Sequence, residues 1–397
     1  MSKNLTNLIF YSFISSVSWA IYKVVFNLFL RDIGFGNDFI GQITSIEMVG
    51  SAIIGIIIGV LGDRFGKKRM LFITSLGFGL LLIARISFPI QSVLYTLSFF
   101  SGGFMTSRML LLNSYIIDIT EHSVRGKAFG FNFGLMMGSG VFGNFVGGFM
   151  GEFIGLRTTL FIAAFAYVLS IGLLSRIPES VGNKDRTIKE IFDISEFTSD
   201  QKEIVKYYFL RTFSISFGAG LFVNFGNLIF KDMFDMSPAM IGIALSIAQL
   251  GAATGSILSP KLGKKFGPFR YMRALSLVVV PLIISLGFVN NPYVFTTLYA
   301  FRFSFMNMTN PVGMNIVLSS MPKDKVTTIN SIRNSLNFVS RAVAAIMFGI
   351  IVALPSGYTY LFLIASIFYF IGYLMLKKMF KPIQKGKILH ELYGNNG

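Results

Sequence analysis

Twelve predominantly apolar stretches fall along the chain, at 8–31, 39–61, 70–88, 92–117, 127–151, 157–177, 206–231, 239–260, 271–289, 293–319, 327–353 and 357–377. Short polar turns separate most of them. A helix needs roughly 20 apolar residues to cross the hydrocarbon core of a bilayer, and only helices or closed barrels satisfy their backbone there. The pattern predicts an all-α membrane protein of twelve transmembrane helices. Composition agrees: 13% of the 397 residues are charged, against about 25% in soluble proteins. No cleavable signal peptide is expected, because the first apolar stretch is too long and lacks a small-residue cleavage site. The absence of Cys excludes disulfides and thiolate chemistry. Two histidines, His122 and His390, argue against a His-ligated metal. Neither a metal nor a cofactor is expected.

The positions of the basic residues set the expected orientation. With the N-terminus in the cytoplasm, the cytoplasmic segments hold 25 of the 35 Lys and Arg, and the outer loops hold only Arg31, Arg157 and Lys231. Both termini are therefore expected inside, in a multi-pass protein of a plasma membrane, with a prokaryotic inner membrane favoured by the short loops. The net charge of +17 is then a match to the anionic inner leaflet, and nucleic acid is not an expected partner. The long polar stretch near the middle divides the chain. The expected domains are a first bundle at 1–178, a cytoplasmic linker at 179–205, a second bundle at 206–380 and a tail at 381–397.

The two halves repeat. Residues 27–69 read NLFLRDIGFGNDFIGQITSIEMVGSAIIGIIIGVLGDRFGKKR, and 227–270 read NLIFKDMFDMSPAMIGIALSIAQLGAATGSILSPKLGKKFGPFR. Asn27 matches Asn227 and Asp32 matches Asp232; one inserted residue later, Gly50 matches Gly251, and Leu61-Gly62 with Phe65-Gly66 matches Leu262-Gly263 with Phe266-Gly267. Two six-helix halves in parallel repeat are a plan of secondary transporters, with the solute site near the midplane.

Between the second and third spans the chain reads Gly59-Val-Leu-Gly62-Asp63-Arg64-Phe-Gly66-Lys-Lys-Arg. This resembles motif A of the major facilitator superfamily: a glycine, three residues, then Asp-Arg-x-Gly and a basic run. Glycine at 62 and 66 permits a tight turn and close helix approach. The resemblance implies a fold of two pseudo-symmetric six-helix bundles and a cytoplasmic gate formed by Gly59, Gly62, Asp63, Arg64 and Gly66, which steadies the outward-facing state. The copy at 259–267 carries Lys264 where Asp63 stands. Asp118 and Arg125 resemble the family's acid ending helix 4 and Arg starting helix 5, and join the gate set. Motif B departs: Ser98 stands at the expected Arg, and the repeat-related Arg302 carries the charge. Motif C also departs, with Asn144 at its Pro, so an antiporter assignment does not follow.

An ionisable group in mid-span costs roughly 2.5–3.5 kcal/mol on insertion scales, which makes each one a functional candidate. The basic ones are Lys23, Arg85, Arg108, Arg211, Arg302, Arg333 and Arg341. Arg85 and Arg211 lie near span ends and are expected to snorkel. Lys23, Arg108 and Arg302 sit deeper, on helices 1, 4 and 10, which by resemblance line the cavity. With Trp19, Asn27, Asn224, Asn227, Asn307, Asn310 and Arg341 they form the expected substrate-binding set. Glu47 is the one carboxylate well inside a span and is the expected proton-coupling residue. Its expected partner is Lys23, because both lie about 12 Å below the outer surface at 1.5 Å per residue.

The function expected from these features is secondary active transport of a small solute by alternating access. The solute is expected to be anionic or zwitterionic, because deep cations exceed acids. The alternatives are proton-coupled export of hydrophobic compounds, multidrug type, and a transporter-like lipid-handling or receptor protein without flux. No nucleotide-binding Gly-x-x-x-x-Gly-Lys-Ser/Thr loop occurs, and a single buried acid argues against an enzyme. The expected partners are the solute, the lipid bilayer and, if coupling runs through Glu47, protons; the protein is expected to act as a monomer.

Overall fold

The computed structural model describes residues 3–120, 122–178, 197–322 and 325–385. In chain order it forms α1 (Lys3–Asp32), α2 (Asn37–Phe65), α3 (Lys67–Ser87), α4 (Gln91–Ile119), α5 (His122–Phe153) and α6 (Leu156–Ser170). Then follow α7 (Ser199–Gly220), α8 (Gly226–Phe234), α9 (Pro238–Phe266), α10 (Pro268–Leu286), α11 (Pro292–Ser319), α12 (Val326–Val352) and α13 (Gly357–Lys385). α7 and α8 are two pieces of one span, so the thirteen helices make twelve crossings. Nine of these are long and apolar enough to cross a bilayer on composition alone, among the described residues. α2, α4 and α11 fall outside that set; α4 carries Arg108 and Asn113, and α11 carries Arg302, Asn307 and Asn310.

Most of the expected linker, 179–196, lies outside the described residues. α7 begins at Ser199, seven residues before the apolar stretch at 206. Thr198 is the reason: its Oγ1 accepts from the Gln201 amide at 3.3 Å, while Gln201 Oε1 accepts from the Thr198 amide at 3.0 Å. This reciprocal cap satisfies two donors that a helix start leaves open. Asn291 starts α11 in the same spirit, accepting from the amides of Tyr293 and Val294.

Two compact units account for the chain: Met1–Ile188 with Phe225–Gln249, and Lys189–Asn224 with Leu250–Gly397. In the first, α2 packs along α4, and α1 along α5 and α6. In the second, α7 packs between α13 and α12, and α10 against α11 and α13. At one end of the second unit Tyr208, Met272, Ile316, Leu376 and Phe380 form a closed apolar cluster.

The repeat read from sequence recurs in the packing. A Cβ on Gly50 would lie 1.9 Å from the Phe99 carbonyl oxygen, and one on Gly251 would lie 2.8 Å from that of Ala300. Gly62 faces Leu111, and Gly263 faces Val312. Every member of these pairs is 201 positions from its counterpart. Gly66 and Gly267 both start the next helix at positive φ, +98° and +74°, where a side chain would be strained. The same offset places Arg302 opposite Ser101, where alignment on Leu94-Tyr95 and Leu298-Tyr299 pairs it with Ser98.

Candidate functional site

The seventh span is broken. α7 ends at Gly220, a turn and a 3-10 segment at Val223–Phe225 follow, and α8 resumes at Gly226. The run Gly218-Ala219-Gly220 makes this stretch narrow. A Cβ on Gly218 would lie 2.8 Å from the Tyr369 ring, and one on Gly220 would lie 2.9 Å from the Arg341 Cα. α13 and α12 therefore close directly on α7 beside the break, bringing their polar side chains with them.

Two arginines meet there. Arg302, on α11, is 4% exposed. Its guanidinium donates to the Tyr369 hydroxyl and lies over the rings of Phe222, at 4.7 Å, and Phe303, at 4.9 Å. Its Nε has no hydrogen-bond partner. Arg341, on α12, donates from Nε to Asn337 at 3.1 Å, and Ser216 of α7 donates to the same oxygen at 2.7 Å. Arg302 lies over Phe222 and the Arg341 Cα lies against Gly220, two residues away, so two cations share the break, a costly arrangement. Aromatic faces offset part of that cost, as does the negative end of the α7 dipole. Among the described residues of 204–224 and 250–385 no carboxylate does; the single acid of those segments, Asp324, lies outside the described residues.

The first unit handles its charges differently. Glu47, on α2, pairs with Arg85 of α3 at 3.3 Å, whereas depth along the spans pointed to Lys23. Arg85 is not snorkelling. It is 1% exposed, lies 4.2 Å over the Phe26 ring and donates to Ser101 at 3.3 Å. Ser101 is the repeat counterpart of Arg302. Arg211 is likewise buried, at 8% exposure. Both stand near span ends in sequence, but each projects into a helix seam rather than toward a headgroup.

The remaining expected residues are distributed as follows. Lys23 is exposed on α1, and Trp19 is half-buried, packed on Tyr22 and Phe78. Arg108 is enclosed in the first unit, donating to Ser15 at 2.8 Å with its charge over Tyr167. Like Arg302 it is 4% exposed, with an Nε that has no hydrogen-bond partner. Asn27 donates to Asn227, which donates to the Val24 carbonyl oxygen at 2.8 Å. Asn224 is half-buried, Asn307 bonds its own helix at Phe303, and Asn310 is exposed. Of the substrate-binding set, the structure thus brings together Arg302 with Arg341 and Asn27 with Asn227. It adds Ser216, Asn337 and Tyr369, which sequence reading missed. The signal was available: Asn330, Arg333, Asn334, Asn337 and Arg341 recur at helical spacing along one face of α12.

Of the residues expected to form the gate, Gly62 meets Leu111, and Asp118 pairs with Lys67 at 2.8 Å. Arg64 is exposed beside Phe65. Gly59 lies within α2; the surroundings of Gly59 and the side chains of Asp63 and Arg125 lie outside the described residues. At the opposite end of the first unit, Arg31 donates to Asn37 and pairs with Asp232 at 3.3 Å, and Asn37 donates to Asp232 at 3.0 Å.

Twelve helical crossings in two repeats, with charges held inside the spans, define a polytopic membrane transporter. The family model described as Major Facilitator Superfamily matches residues 8–345 and 208–388, and the chain belongs to that superfamily. "Multi-drug resistance efflux pump PmrA" of Streptococcus pneumoniae is 24% identical over 373 residues, covering 90% of this chain and 91% of that protein. "Quinolone resistance protein NorA" of Staphylococcus aureus is 23% identical over 369 residues, covering 89% and 92%. Among solved structures, the nucleoside transporter NupG aligns with a TM-score of 0.78 at 14% identity, covering 96% of this chain and 100% of that one. At that identity the likeness shows the fold alone.

Proposed function

We propose that this transporter exports amphiphilic organic anions or zwitterions by alternating access, from a cytoplasm into which both termini and the basic loops project. The observation that carries the reading is the placing of Arg302 and Arg341 beside the break in the seventh span, where the described residues of 204–224 and 250–385 include no carboxylate. A buried like-charged pair is costly, and a solute anion offsets that cost while gaining charge-assisted hydrogen bonds. Phe222 and Phe303 supply an apolar surface next to the charge. The efflux names of the relatives support outward direction. Glu47, held by Arg85, is the proposed proton-coupling group, and the Gly59–Gly66 turn with Lys67 and Asp118 the proposed cytoplasmic gate. The working unit is proposed to be a monomer.

A second reading, proton-coupled export of hydrophobic compounds of varied charge, is favoured by the same relatives' names. Everted membrane vesicles loaded with a matched set of fluorescent naphthalenes decide between them: a carboxylate, an amino acid and a methylammonium. Accumulation of the first two over the third is expected. Accumulation of the methylammonium alone, or of none, overturns the anion reading.

A further inference from the structure

The polar face of α12 extends past Arg341 toward the start of that helix, and the seam it forms with α7 holds a second cluster. Asn330, Arg333 and Asn334 stand on α12, and Arg211 on α7, two to three turns before Gly220. Arg211 is buried, and no hydrogen-bond partner meets its Nε. Arg333 is half-buried, donates to Asn334 at 2.9 Å, and also has an Nε without a partner. The Oδ1 of Asn330 is buried and unpartnered as well. Ser216 against Asn337 and Gly220 against Arg341 set α7 and α12 in register at an offset of 121 residues, which puts Arg333 level with position 212, next to Arg211. The nearest acids along the chain are Glu203, eight residues before Arg211, and Asp324, nine residues before Arg333 and outside the described residues.

Resting on the anion reading above, we propose that Arg211 and Arg333 form a second anion station, so that the solute's carboxylate passes between two guanidinium pairs along the α7–α12 seam. Arg333 and Arg341 are eight residues apart on one helix, about 12 Å at 1.5 Å per residue. That separation is too long for one carboxylate to touch both, and short enough for an amphiphile to leave one pair as it reaches the other. Each station has the same composition: one arginine from α12, one from a facing helix, an asparagine holding the α12 guanidinium, and no acid within two turns on those helices. Two like charges with unfilled N–H donors are an unfavourable arrangement in a span, and a bidentate anion answers both faults together. The arrangement also gives conduction its needed balance, since each site binds while the next competes.

The test is crystallography with a heavy anion. Protein purified without added lipid, in a nonionic detergent and phosphate-free buffer, is soaked with 4-iodobenzoate, and iodine is located by anomalous scattering. Two iodine positions are expected, one at Arg302–Arg341 and one at Arg211–Arg333. The variant Arg333→Gln is expected to lose only the second and to transport about tenfold more slowly at saturating solute. Iodine at Arg302–Arg341 alone overturns this inference and leaves the anion reading standing. Iodine at neither overturns both. Phosphate-shaped density at Arg211–Arg333 that 4-iodobenzoate does not displace identifies a bound lipid headgroup and overturns the station as part of the solute path. Because the wild-type soak decides by itself, a variant that misfolds does not blunt the test.

Discussion

Asn27 of α1 donates its side-chain amide to the side-chain oxygen of Asn227 at 3.2 Å, and the two residues hold the same place in the two repeats. Asn227 also donates to the Val24 carbonyl oxygen and accepts from the amide of Leu228. One turn further along α1, Arg31 and Asn37 converge on Asp232. Together these contacts tie α8 to α1 and to the start of α2. The Asp232→Asn substitution removes the charge that organises Arg31. It is expected to raise severalfold the rate at which a water-soluble maleimide labels a cysteine placed at position 27. The native chain has no cysteine, so the measurement has no background.

The glycines at the α2–α4 crossing are expected to be intolerant. A Cβ on Gly102 would lie 1.8 Å from the Glu47 carbonyl oxygen, and one on Gly50 would lie 1.9 Å from that of Phe99. Overpacking a filled interface costs about 1–3 kcal/mol, and backbone cannot yield as a side chain does. Gly50→Ala and Gly102→Ala should each lower the melting temperature in detergent by several degrees. Gly130→Ala and Gly134→Ala, where nothing lies within 4 Å, should not.

The Glu47–Arg85 pair makes a double-mutant cycle informative. Breaking one side of a buried pair costs about 3–5 kcal/mol, because the other charge is left alone. Glu47→Gln and Arg85→Gln should each destabilise, and the double variant should recover much of the loss. If Glu47 couples transport to protons, Glu47→Gln should also abolish the response of flux to an imposed pH gradient. A Glu47→Gln transporter that still concentrates solute along that gradient removes the coupling assignment.

At the proposed gate, Lys67 and Asp118 form a partly exposed pair. Such pairs contribute about 0–1 kcal/mol to stability, so Asp118→Asn should leave the melting temperature unchanged. A role in cycling predicts a slower turnover with the half-saturating concentration within a few-fold of wild type. Equal turnover in a reconstituted flux assay would sink the gate role for this pair.

The spans, the repeat and the paired turns at Gly66 and Gly267 were legible because each rests on a local pattern: apolar length, or a glycine where φ is positive. The pairing of Arg85 with Glu47 was not. Counting residues from the span ends fixes depth, and it placed Lys23 level with Glu47, but which neighbour a side chain meets depends on its direction around the helix. Arg85 and Arg211 were misread for the opposite reason, since closeness to a span end says nothing about whether a seam or a headgroup lies alongside. Arg302 and Arg341 were found by charge. Their meeting beside the break was signalled only by Gly218-Ala219-Gly220, a run that also occurs in unbroken helices.

The succession of close contacts along α2 and α4 has a mechanical consequence. From Glu47 against Gly102, through Gly55 against Thr106, to Gly62 against Leu111, the two helices leave no room to slide or rotate on each other. They act as one stiff lever, about 28 Å from Glu47 to the turn at Gly66. A small tilt at the ion pair is therefore delivered, undiminished, as travel of the Gly66 turn and its basic run.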